Sequence, residues 1–495
     1  MEQLTPGEWA SEQLKRAPAF AIATAIVVGL LVLSSFIEYT SARPKTDSDL
    51  ISEADIAEEE PPPIEEIEEI KPEERDLDPV DKAPALEENN VSPVDAPIES
   101  DIDVDVEFTE DETSDAVVAS DPIPMDLTKR MAVIATEGST GGFRGVLGSR
   151  TKGGKRRAAR AYGMPKGTDK SIIAALRWLK KAQNKETGGW EAHKWPGGPN
   201  NRPSRGTSNG VSGLALLAYL GFGCTDRQPA EFASTVKKAI EYIVNIQRKE
   251  GDDGAGSKKG WFGARMYTQG ICTMAMAEAY GMTGRKDCKK AAEMGLAYIL
   301  RKQPPHGAFG YTGPGNDVSV TGFQVQAIKA CLNVGIDVPK AAVERTGRFL
   351  KTCMCKNYST PYRINPAAAV QAGSGKVSMT AAALTGRLFM GHKRSAPDCV
   401  GQADFLTAGD RHLAQAKQTT GYYPIYYLSL SMFNMGGKYW RSWNNAFNGP
   451  MREAQVTAGP EKGSWSGGGS GGRVFATSMA CLSLEVYFRY QRVRR

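Results

Sequence analysis

Residues 298–332, YILRKQPPHGAFGYTGPGNDVSVTGFQVQAIKACL, contain one complete structural repeat, and weaker copies of it recur along the chain. The stretch predicts the end of one helix, a glycine-rich turn around Phe309, and a second helix over 321–332. In such a turn the aromatic ring can rest against the end of the first helix, while the amide of Gln303 bonds the backbone groups left unpaired there. Asp317 stands where the cap of the second helix is expected.

The copies of this repeat are spaced at about 45–60 residues, which is the length of one helical hairpin. The turn aromatics of the other copies are Trp190, Trp261 and Trp465, and in the last copy only the turn itself is recognisable. In the copy that contains Phe349 and Leu350, Met354 stands where other copies carry the glutamine. This copy keeps the spacing of the motif but lacks the amide group. In the second helices a hydroxyl residue holds one slot in each copy: Ser212, Thr268, Thr321, Thr380 and Thr477.

From residue 169 onward this pattern predicts an all-α fold of twelve helices in six hairpins. One helix of a pair has a basic face and an apolar face, which suits an outer layer; such helices are expected over 171–183, 230–247, 288–303 and 340–354. The partner helices are small or apolar on every side and are expected to be buried; they cover 210–220, 269–280, 321–332, 380–390, 423–433 and 476–487. Alternating outer and inner helices close into an α/α toroid that occupies 169–495.

Near the N-terminus, residues 17–37, APAFAIATAIVVGLLVLSSFI, form an uncharged apolar run. A helix needs about 20 residues to cross the hydrocarbon layer, so the run predicts a transmembrane helix. The alternative is a cleaved signal peptide, although the run exceeds the usual length of about 7–15 residues. Two basic residues before the run favour a cytoplasmic segment over 1–16, and two after it weaken that assignment. We expect a single-pass protein of a bacterial inner membrane with the toroid on the periplasmic side.

The segment after the apolar run is strongly acidic. Between Asp47 and Asp121 the chain carries 29 acidic and 3 basic residues, a net charge of −26. Because it is rich in proline and poor in apolar residues, the region 38–125 is expected to be a disordered linker. The net charge of the chain then changes sign, because residues 122–495 carry 54 basic and 23 acidic residues.

The reversal begins in a basic Gly/Arg-rich connector over 126–168. Its segment 144–160 is either an electrostatic patch for an anionic partner or a solvated connector that docks on the acidic linker. Aromatic residues do not interleave with the basic ones, which argues against binding of single-stranded nucleic acid.

The turns resemble those of the prenyltransferase and squalene-cyclase repeat superfamily, whose QW motif reads (Tyr/Phe)-Leu-x3-Gln-x3-Gly-x-Trp. The residues that match this motif with conservative changes are Tyr298, Ile299, Gln303, Gly307 and Phe309. The resemblance covers 169–490 and implies the α/α toroid of the terpenoid cyclases. With its anchor and acidic linker, the whole chain looks like the uncharacterised membrane-anchored squalene-cyclase-like proteins of planctomycete-type bacteria.

Triterpene cyclases of this superfamily protonate an alkene with an Asp-x-Asp-Asp-Thr-Ala motif that opens an inner helix. An alkene is a poor base, so the acid must be neutral, buried and unusually acidic. Aligning the Thr-Ala pair with Thr321 and Gly322 leaves only the first aspartate, Asp317, with Ser319 in the third position. Asp317 is therefore the candidate catalytic acid, and a helix cap is the preferred interpretation of the same residue.

Protein prenyltransferases of the superfamily bind zinc through an Asp, a Cys and a His. The four histidines of this chain fall in turns or at helix ends, and none accompanies an Asp-x-Cys arrangement: His193, His306, His392 and His412. A catalytic zinc needs three protein ligands, so we expect no metal and no cofactor. Cys272 and Cys481 are expected to be buried apolar residues.

A ligand cavity inside the ring is a further hypothesis, because aromatic side chains with a few polar groups would suit an isoprenoid or a peptide segment. The alternative is that the rings simply fill the barrel. The candidate lining residues are Tyr267, Gln269, Phe323, Gln324, Tyr422, Tyr423, Tyr426, Tyr427, Trp190, Trp261 and Trp465.

Three functions follow as hypotheses. The preferred one is a membrane-tethered toroid that acts as a ligand-binding or scaffolding module for an isoprenoid, a lipid or a polypeptide, because the scaffold is kept while the family's acid and zinc motifs are not matched. The second is an enzyme acting on an isoprenoid or polyprenyl substrate with Asp317 as its acid. The third is a structural protein of the cell envelope.

Overall fold

The computed structural model describes residues 145–251, 254 and 256–490. Over these ranges the fold is built from α-helices and short 3₁₀ helices, and β-structure is limited to isolated bridges. Within the same ranges no helix combines the length and the apolarity needed to span a bilayer. The predicted transmembrane helix 17–37, the acidic linker 38–125 and residues 126–144 of the predicted connector lie outside the described residues.

The helices follow one another in pairs. In chain order they are α1 Lys152–Ala161, α2 Thr168–Ala182, α3 Ser208–Gly221, α4 Ala230–Ile246, α5 Met266–Thr283, α6 Lys286–Lys302, α7 Val318–Asn333, α8 Lys340–Thr352, α9 Val377–Phe389, α10 Pro397–Thr407, α11 Arg411–Lys417, α12 Tyr422–Met435, α13 Gly437–Glu453, α14 Gly472–Leu484 and α15 Val486–Arg489.

Six helices of the described chain are buried on nearly every side and form a closed inner ring: α3, α5, α7, α9, α12 and α14. All fourteen residues of α12 are buried, as are twelve of the fourteen in α3. Each inner helix packs against the two beside it, and α14 packs back on α3, which closes the ring. The outer helices α2, α4, α6, α8, α10 and α13 pack on the outside of the ring. The predicted all-α fold and its α/α toroid arrangement are confirmed.

The outer helices bury only one stripe of side chains. In α2 the buried residues Ile172, Leu176 and Leu179 recur every three or four positions, whereas Lys170 and Arg177 face solvent. Burying a leucine or isoleucine stabilises a fold by about 1.5–3 kcal/mol. The apolar stripe therefore holds the outer helix against the ring while the basic face stays hydrated.

The fifth outer position differs from the predicted single helix. It is divided into α10 and α11, because Gly409 and Asp410 take left-handed conformations with φ of 57° and 56°. A left-handed residue cannot continue a right-handed helix. The count of six hairpins is kept, but one of them has a broken outer helix.

Glutamine side chains at the ends of outer helices tie neighbouring hairpins together at four of the six junctions of the described ring. Nε2 of Gln183 donates to the carbonyl oxygen of Gly188 in its own turn (2.8 Å) and to that of Thr235 in α4 (2.9 Å). Equivalent bonds join Gln247 to Gly260 and Ala291, Gln303 to Ala342, and Gln455 to Gly463 and Ser171. The last set closes the outer layer, because Ser171 belongs to α2.

The helix-end carbonyl that the glutamine was expected to serve is bonded by the turn aromatic instead. Nε1 of Trp190 donates to the carbonyl oxygen of Leu179 (2.8 Å), and Nε1 of Trp465 donates to that of Met451 (2.7 Å). The carbonyl oxygen of Met451 thus gains a donor at the end of its helix, and that of Leu179 gains a second donor beside the backbone N–H of Gln183. The glutamine amide is left to join neighbouring hairpins.

A glycine in each of these turns presses against the next outer helix. Gly307 has a φ of +85°, and a Cβ at this position would lie 2.0 Å from the carbonyl oxygen of Arg345 in α8. Gly188, Gly260 and Gly463 have the same positive φ and leave 2.0 to 2.3 Å for a Cβ. Both the left-handed backbone and the close approach require glycine.

The backbone N–H of the turn residue donates a hydrogen bond to a side chain near the start of the following inner helix. Phe309 donates to Oγ1 of Thr321 at 2.8 Å, and the same bond joins Trp190 to Ser212, Thr360 to Thr380 and Trp465 to Thr477. In the second repeat Phe262 donates to Oε1 of Gln269 (3.1 Å). Phe262 and Gln269 therefore hold the repeat positions predicted for Trp261 and Thr268.

The chain ahead of the toroid folds onto one end of it. A 3₁₀ helix over Gly145–Arg150 leads into α1, Oγ of Ser149 donates to the carbonyl oxygen of Phe488 (2.7 Å), and Nζ of Lys155 donates to that of Phe222 (2.8 Å). Arg150, one of the basic residues predicted to form a surface patch or a solvated connector, is buried.

Candidate functional site

Aromatic side chains from three inner helices meet at the centre of the ring. Phe323 of α7 lies 5.8 Å from Tyr267, 6.3 Å from Tyr423, 6.3 Å from Tyr426 and 5.9 Å from Tyr427, measured between ring centroids. All five side chains are at most 3% exposed. Aromatic pairs at these separations attract each other beyond their buried area, so the rings form one packed cluster.

The remaining side chains predicted to line a cavity are engaged elsewhere. Nε2 of Gln269 donates to the carbonyl oxygens of Gly260 and Gly295, and Nε2 of Gln324 donates to that of Met266. Tyr422 donates to the carbonyl oxygen of Ser466. The indoles of Trp190 and Trp465 bond helix-end carbonyls, as described above, and Trp261 packs on Tyr298 with ring centroids 4.9 Å apart.

Asp317 lies at the start of α7, next to this cluster, and it caps the helix. Its Oδ1 accepts the backbone N–H of Val320 (3.0 Å) and the hydroxyl of Ser319 (2.5 Å). Its Oδ2 is buried and has no hydrogen-bond partner within the described chain. The predicted cap is confirmed, and one oxygen of the carboxylate is left over for another group.

Hydroxyl groups surround this carboxylate. Tyr267 donates to Oγ of Ser319, which in turn donates to Asp317, and Tyr423 donates to the carbonyl oxygen of Ser319 (3.3 Å). The hydroxyls of Tyr311 and Tyr362 lie 2.7 Å apart. These two tyrosines are only half-buried, so they form the outer side of the site. We call Asp317, Ser319, Tyr267, Tyr311, Tyr362 and Tyr423 the rim site.

The tyrosines of the rim site are neutral hydrogen-bonding groups at ordinary pH. Burial raises the pKa of Tyr267, Tyr362 and Tyr423, and the nearby carboxylate of Asp317 raises each of these pKa values further. Burial also raises the pKa of Tyr311. The arrangement is a carboxylate with one unpartnered oxygen, ringed by aromatic faces and phenol hydroxyls.

Sequence reasoning missed Tyr311 and Tyr362. Tyr311 follows the motif turn directly, so its position two residues after Phe309 is a signal that the repeat pattern contained. Tyr362 lies in the connection between α8 and α9, and its carbonyl oxygen accepts the N–H of Val318 (3.0 Å). That contact joins two repeats, which spacing within one repeat does not reveal.

A second polar chain runs from the aromatic cluster toward the other end of the ring. Gln326 donates to Tyr427 (2.9 Å) and accepts from Tyr426 (2.7 Å), whose hydroxyl accepts from Nη1 of Arg489 (3.1 Å). Arg489 then contacts Glu278 at 3.4 Å. Sequence reasoning singled out neither Arg489 nor Glu278.

All eight cysteines are buried free thiols. Burial raises the pKa of Cys272 and of Cys481, and the nearby Glu485 raises that of Cys481 further. This agrees with the prediction that both behave as small apolar residues, since a thiol with a raised pKa stays protonated and unreactive.

The chain matches no protein-family model and no curated protein sequence. Among solved structures it is similar to the GH76A α-1,6-mannanase from Salegentibacter sp., at 9% identity over 65% of this chain and 98% of that one, with a TM-score of 0.47. It is similar to the cellobiose 2-epimerase from Spirochaeta thermophila, at 9% identity over 68% and 99%, with a TM-score of 0.47. It is also similar to a type II terpene cyclase from Scytonema, at 14% identity over 65% and 97%, with a TM-score of 0.42.

Proposed function

We propose that this toroid is a binding module and that its ligand places a hydrogen-bond donor on Oδ2 of Asp317. The observation that carries the proposal is that this oxygen is buried without a partner while the other oxygen is fully used. A desolvated carboxylate oxygen without a partner costs free energy. A donor from a ligand would offset that cost.

The packing at the ring centre supports a ligand at the rim. Phe323 and the four rings around it are at most 3% exposed and touch one another, so they use up the aromatic surface on which an isoprenoid would lie. The half-buried rings of Tyr311 and Tyr362 are the ones a ligand can reach. We therefore favour a polypeptide, which brings N–H donors, over an isoprenoid or a lipid.

Small probes can test this proposal on the full-length protein by saturation-transfer NMR. N-methylacetamide carries one N–H donor, N,N-dimethylacetamide has nearly the same shape without it, and farnesol represents an isoprenoid. We expect transfer to N-methylacetamide and none to its dimethylated analogue. Equal transfer to both amides, or transfer to farnesol alone, would contradict the proposal.

The matched variant is Asp317→Asn, which retains an oxygen to cap α7 but can present NH₂ in place of Oδ2. A hydrogen bond to a charged group contributes about 1.5–3 kcal/mol, so N-methylacetamide should bind at least tenfold more weakly. The control is Asp337→Asn on an exposed loop, which should leave binding unchanged.

A second candidate is an enzyme that protonates an isoprenoid or polyprenyl alkene, with Asp317 as the acid. The hydrogen-bond chain from Tyr267 through Ser319 to Asp317 favours it, because such a chain can return a proton to the carboxylate. Protonation would move the carboxylic proton to an alkene carbon and leave a carbocation. In D₂O the product of geranylgeranyl diphosphate would carry deuterium on carbon with the wild type and not with Asp317→Asn; an unlabelled, unchanged substrate would eliminate this candidate.

The location of the module follows from the apolar run at 17–37 and remains part of the proposal. A single span there would tether the toroid to an inner membrane on the periplasmic side, at the end of the acidic linker 38–125. Release of the intact protein into the soluble fraction without detergent would contradict the tether. Whether the basic segment 144–160 also contacts an anionic partner is a separate expectation, tested by the salt dependence of binding.

A further inference from the structure

The end of the ring opposite the rim site contains a cluster of buried charges. Arg150 precedes α1, Glu278 belongs to α5, and Arg489 ends α15. Oε2 of Glu278 accepts from Nη1 of Arg150 (2.8 Å), and its Oε1 accepts from Tyr490 (2.6 Å) and contacts Nη2 of Arg489 (3.4 Å). We call Arg150, Glu278, Arg489 and Tyr490 the charged pole.

Within the part of the chain that the structure describes, each guanidinium group of the charged pole has one nitrogen without a hydrogen-bond partner. Arg150 uses Nε on the carbonyl oxygen of Arg489 and Nη1 on Glu278, but its Nη2 has no hydrogen-bond partner in the described chain. Arg489 uses both Nη atoms, on Tyr426 and Glu278, and its Nε is left over. The side chains of both arginines are 0% exposed, so bulk water does not reach these donors.

Another buried arginine of the toroid provides the contrast. Arg387 of α9 is also 0% exposed, yet its Nε donates to Gln402 (3.0 Å), its Nη1 to Asp398 (3.0 Å) and its Nη2 to the carbonyl oxygen of Leu350 (2.5 Å). Burial in this fold therefore does not by itself leave arginine nitrogens without acceptors. Among the fully buried arginines of the described residues the leftover donors belong to the charged pole, although Nε of the half-buried Arg301 also lacks a hydrogen-bond partner.

The charges of the pole do not balance. Two guanidinium groups share one carboxylate, that of Glu278. The half-buried Lys155 adds an amine that donates to the carbonyl oxygen of Phe222, and burial lowers its pKa to about 8. The other carboxyl nearby is that of Glu485, whose pKa burial raises to about 8 although Arg489 opposes the shift. An excess of buried positive charge is costly unless a counter-charge accompanies it.

We propose that the charged pole binds a small monoanion, held by the leftover N–H groups of Arg150 and Arg489. Both guanidinium groups bond the same carboxylate, and both lie over the ring of Tyr490, at 5.4 Å and 5.0 Å from its centroid. Their leftover donors thus belong to one site. Tyr490 is half-buried, so the site lies at the end of the ring rather than deep within it. A halide and a carboxylate share the required chemistry.

The direct test is ³⁵Cl NMR on the full-length protein in nonionic detergent. Exchange of chloride with a protein site broadens its resonance, and we expect saturable broadening that acetate displaces if carboxylates bind as well. Arg150→Gln should abolish the broadening. Arg387→Gln, which removes a buried arginine whose nitrogens are all bonded, should retain it.

Thermal unfolding gives a second measurement at constant ionic strength, with sodium chloride replaced by sodium gluconate. At a concentration a hundred times Kd, a bound anion should raise the wild-type Tm by about 4 °C. The Tm of Arg489→Lys, which keeps the charge and loses the Nε–H, should respond less. Absence of saturable broadening in the wild type, or equal loss of it in Arg387→Gln, would overturn the proposal and leave ordinary water as the occupant.

Discussion

The glutamine bonds between hairpins allow a quantitative prediction for Gln183→Met. The substitution copies a natural difference, because Met354 stands at the corresponding position after α8. Methionine keeps the length and the packing of the side chain but removes two buried hydrogen bonds, to Gly188 (2.8 Å) and Thr235 (2.9 Å). Each such bond contributes about 0.5–1.5 kcal/mol net. The free energy of unfolding should therefore fall by about 1–3 kcal/mol.

The same loss can be expressed as a change in Tm. At about 2.1 cal/mol/K per residue, a folded unit of roughly 340 residues loses about 1.4 °C for each kcal/mol. We expect the Tm of Gln183→Met to fall by about 1–4 °C, and the midpoint of guanidinium unfolding to fall with an unchanged m-value. Circular dichroism at the helical minimum follows both transitions.

A surface glutamine supplies the control. Nε2 of Gln415 donates to Gln418 at 3.0 Å in an exposed position, so Gln415→Met should change the free energy of unfolding by less than about 0.5 kcal/mol. If Gln183→Met and Gln415→Met had equal effects, the amide bonds would not be what joins neighbouring hairpins, and the reasoning would be refuted.

Two further predictions concern backbone and charge. Gly307→Ala forces a left-handed alanine with its Cβ 2.0 Å from a carbonyl oxygen, so thermal melts should show that the free energy of unfolding falls by at least about 3 kcal/mol. The control is Gly347→Ala in α8, where nothing lies within 4 Å of the added Cβ, and it should raise the free energy of unfolding by about 0.5–1 kcal/mol. Equal Tm values for the two variants would contradict both expectations. Because burial raises the folded-state pKa of Glu485 from 4.5 to about 8, the folded protein keeps a proton that the unfolded chain releases. The free energy of unfolding of the wild type should fall relative to that of Glu485→Gln as pH rises from about 5 to 8, by on the order of 1.4 kcal/mol per pH unit. If the free energies of the two proteins changed with pH in parallel, this carboxyl would not titrate in that window.

Much of the fold could be predicted from the sequence because the turns contain a recognisable set of residue types. A glutamine, a glycine and an aromatic residue each make a fixed contact, within the turn or with the next outer helix, so the residue pattern recurs in the turns that make these contacts. The inner helices were equally readable, since a helix that is apolar on every side has to be buried. These signals lie within single repeats.

The errors arose where a turn changed its length or its chemistry. In the second repeat one additional residue moves the buried position from Trp261 to Phe262, and a glutamine replaces the hydroxyl residue as the acceptor of its N–H. In the last repeat Gln455 stands eight residues before Gly463 instead of four, so the spacing of the motif concealed it. The local residue pattern therefore predicts which contacts a turn makes, but not which residue of the turn makes each contact.

The candidate site was only partly accessible to sequence reasoning. The hydrogen bond from the N–H of Val320 to Asp317 follows from helix-capping rules. The position of Tyr362 beside Asp317 depends on how two repeats pack against each other. Arg150 was counted among exposed basic residues because its neighbours in sequence are basic; its partners Glu278 and Arg489 lie 128 and 339 residues away. Contacts at such separations are set by closure of the ring.

The bond from Gln455 to Ser171 gives the molecule a property that open repeat arrays lack. In a linear array the first and last repeats have one neighbour each and need polar caps. Here every hairpin has two neighbours, so no hairpin is terminal and none can be removed without opening a gap in the wall. The number of repeats is consequently fixed by geometry, and a circular permutant that joins residue 490 to residue 145 and opens a turn elsewhere should keep the same architecture.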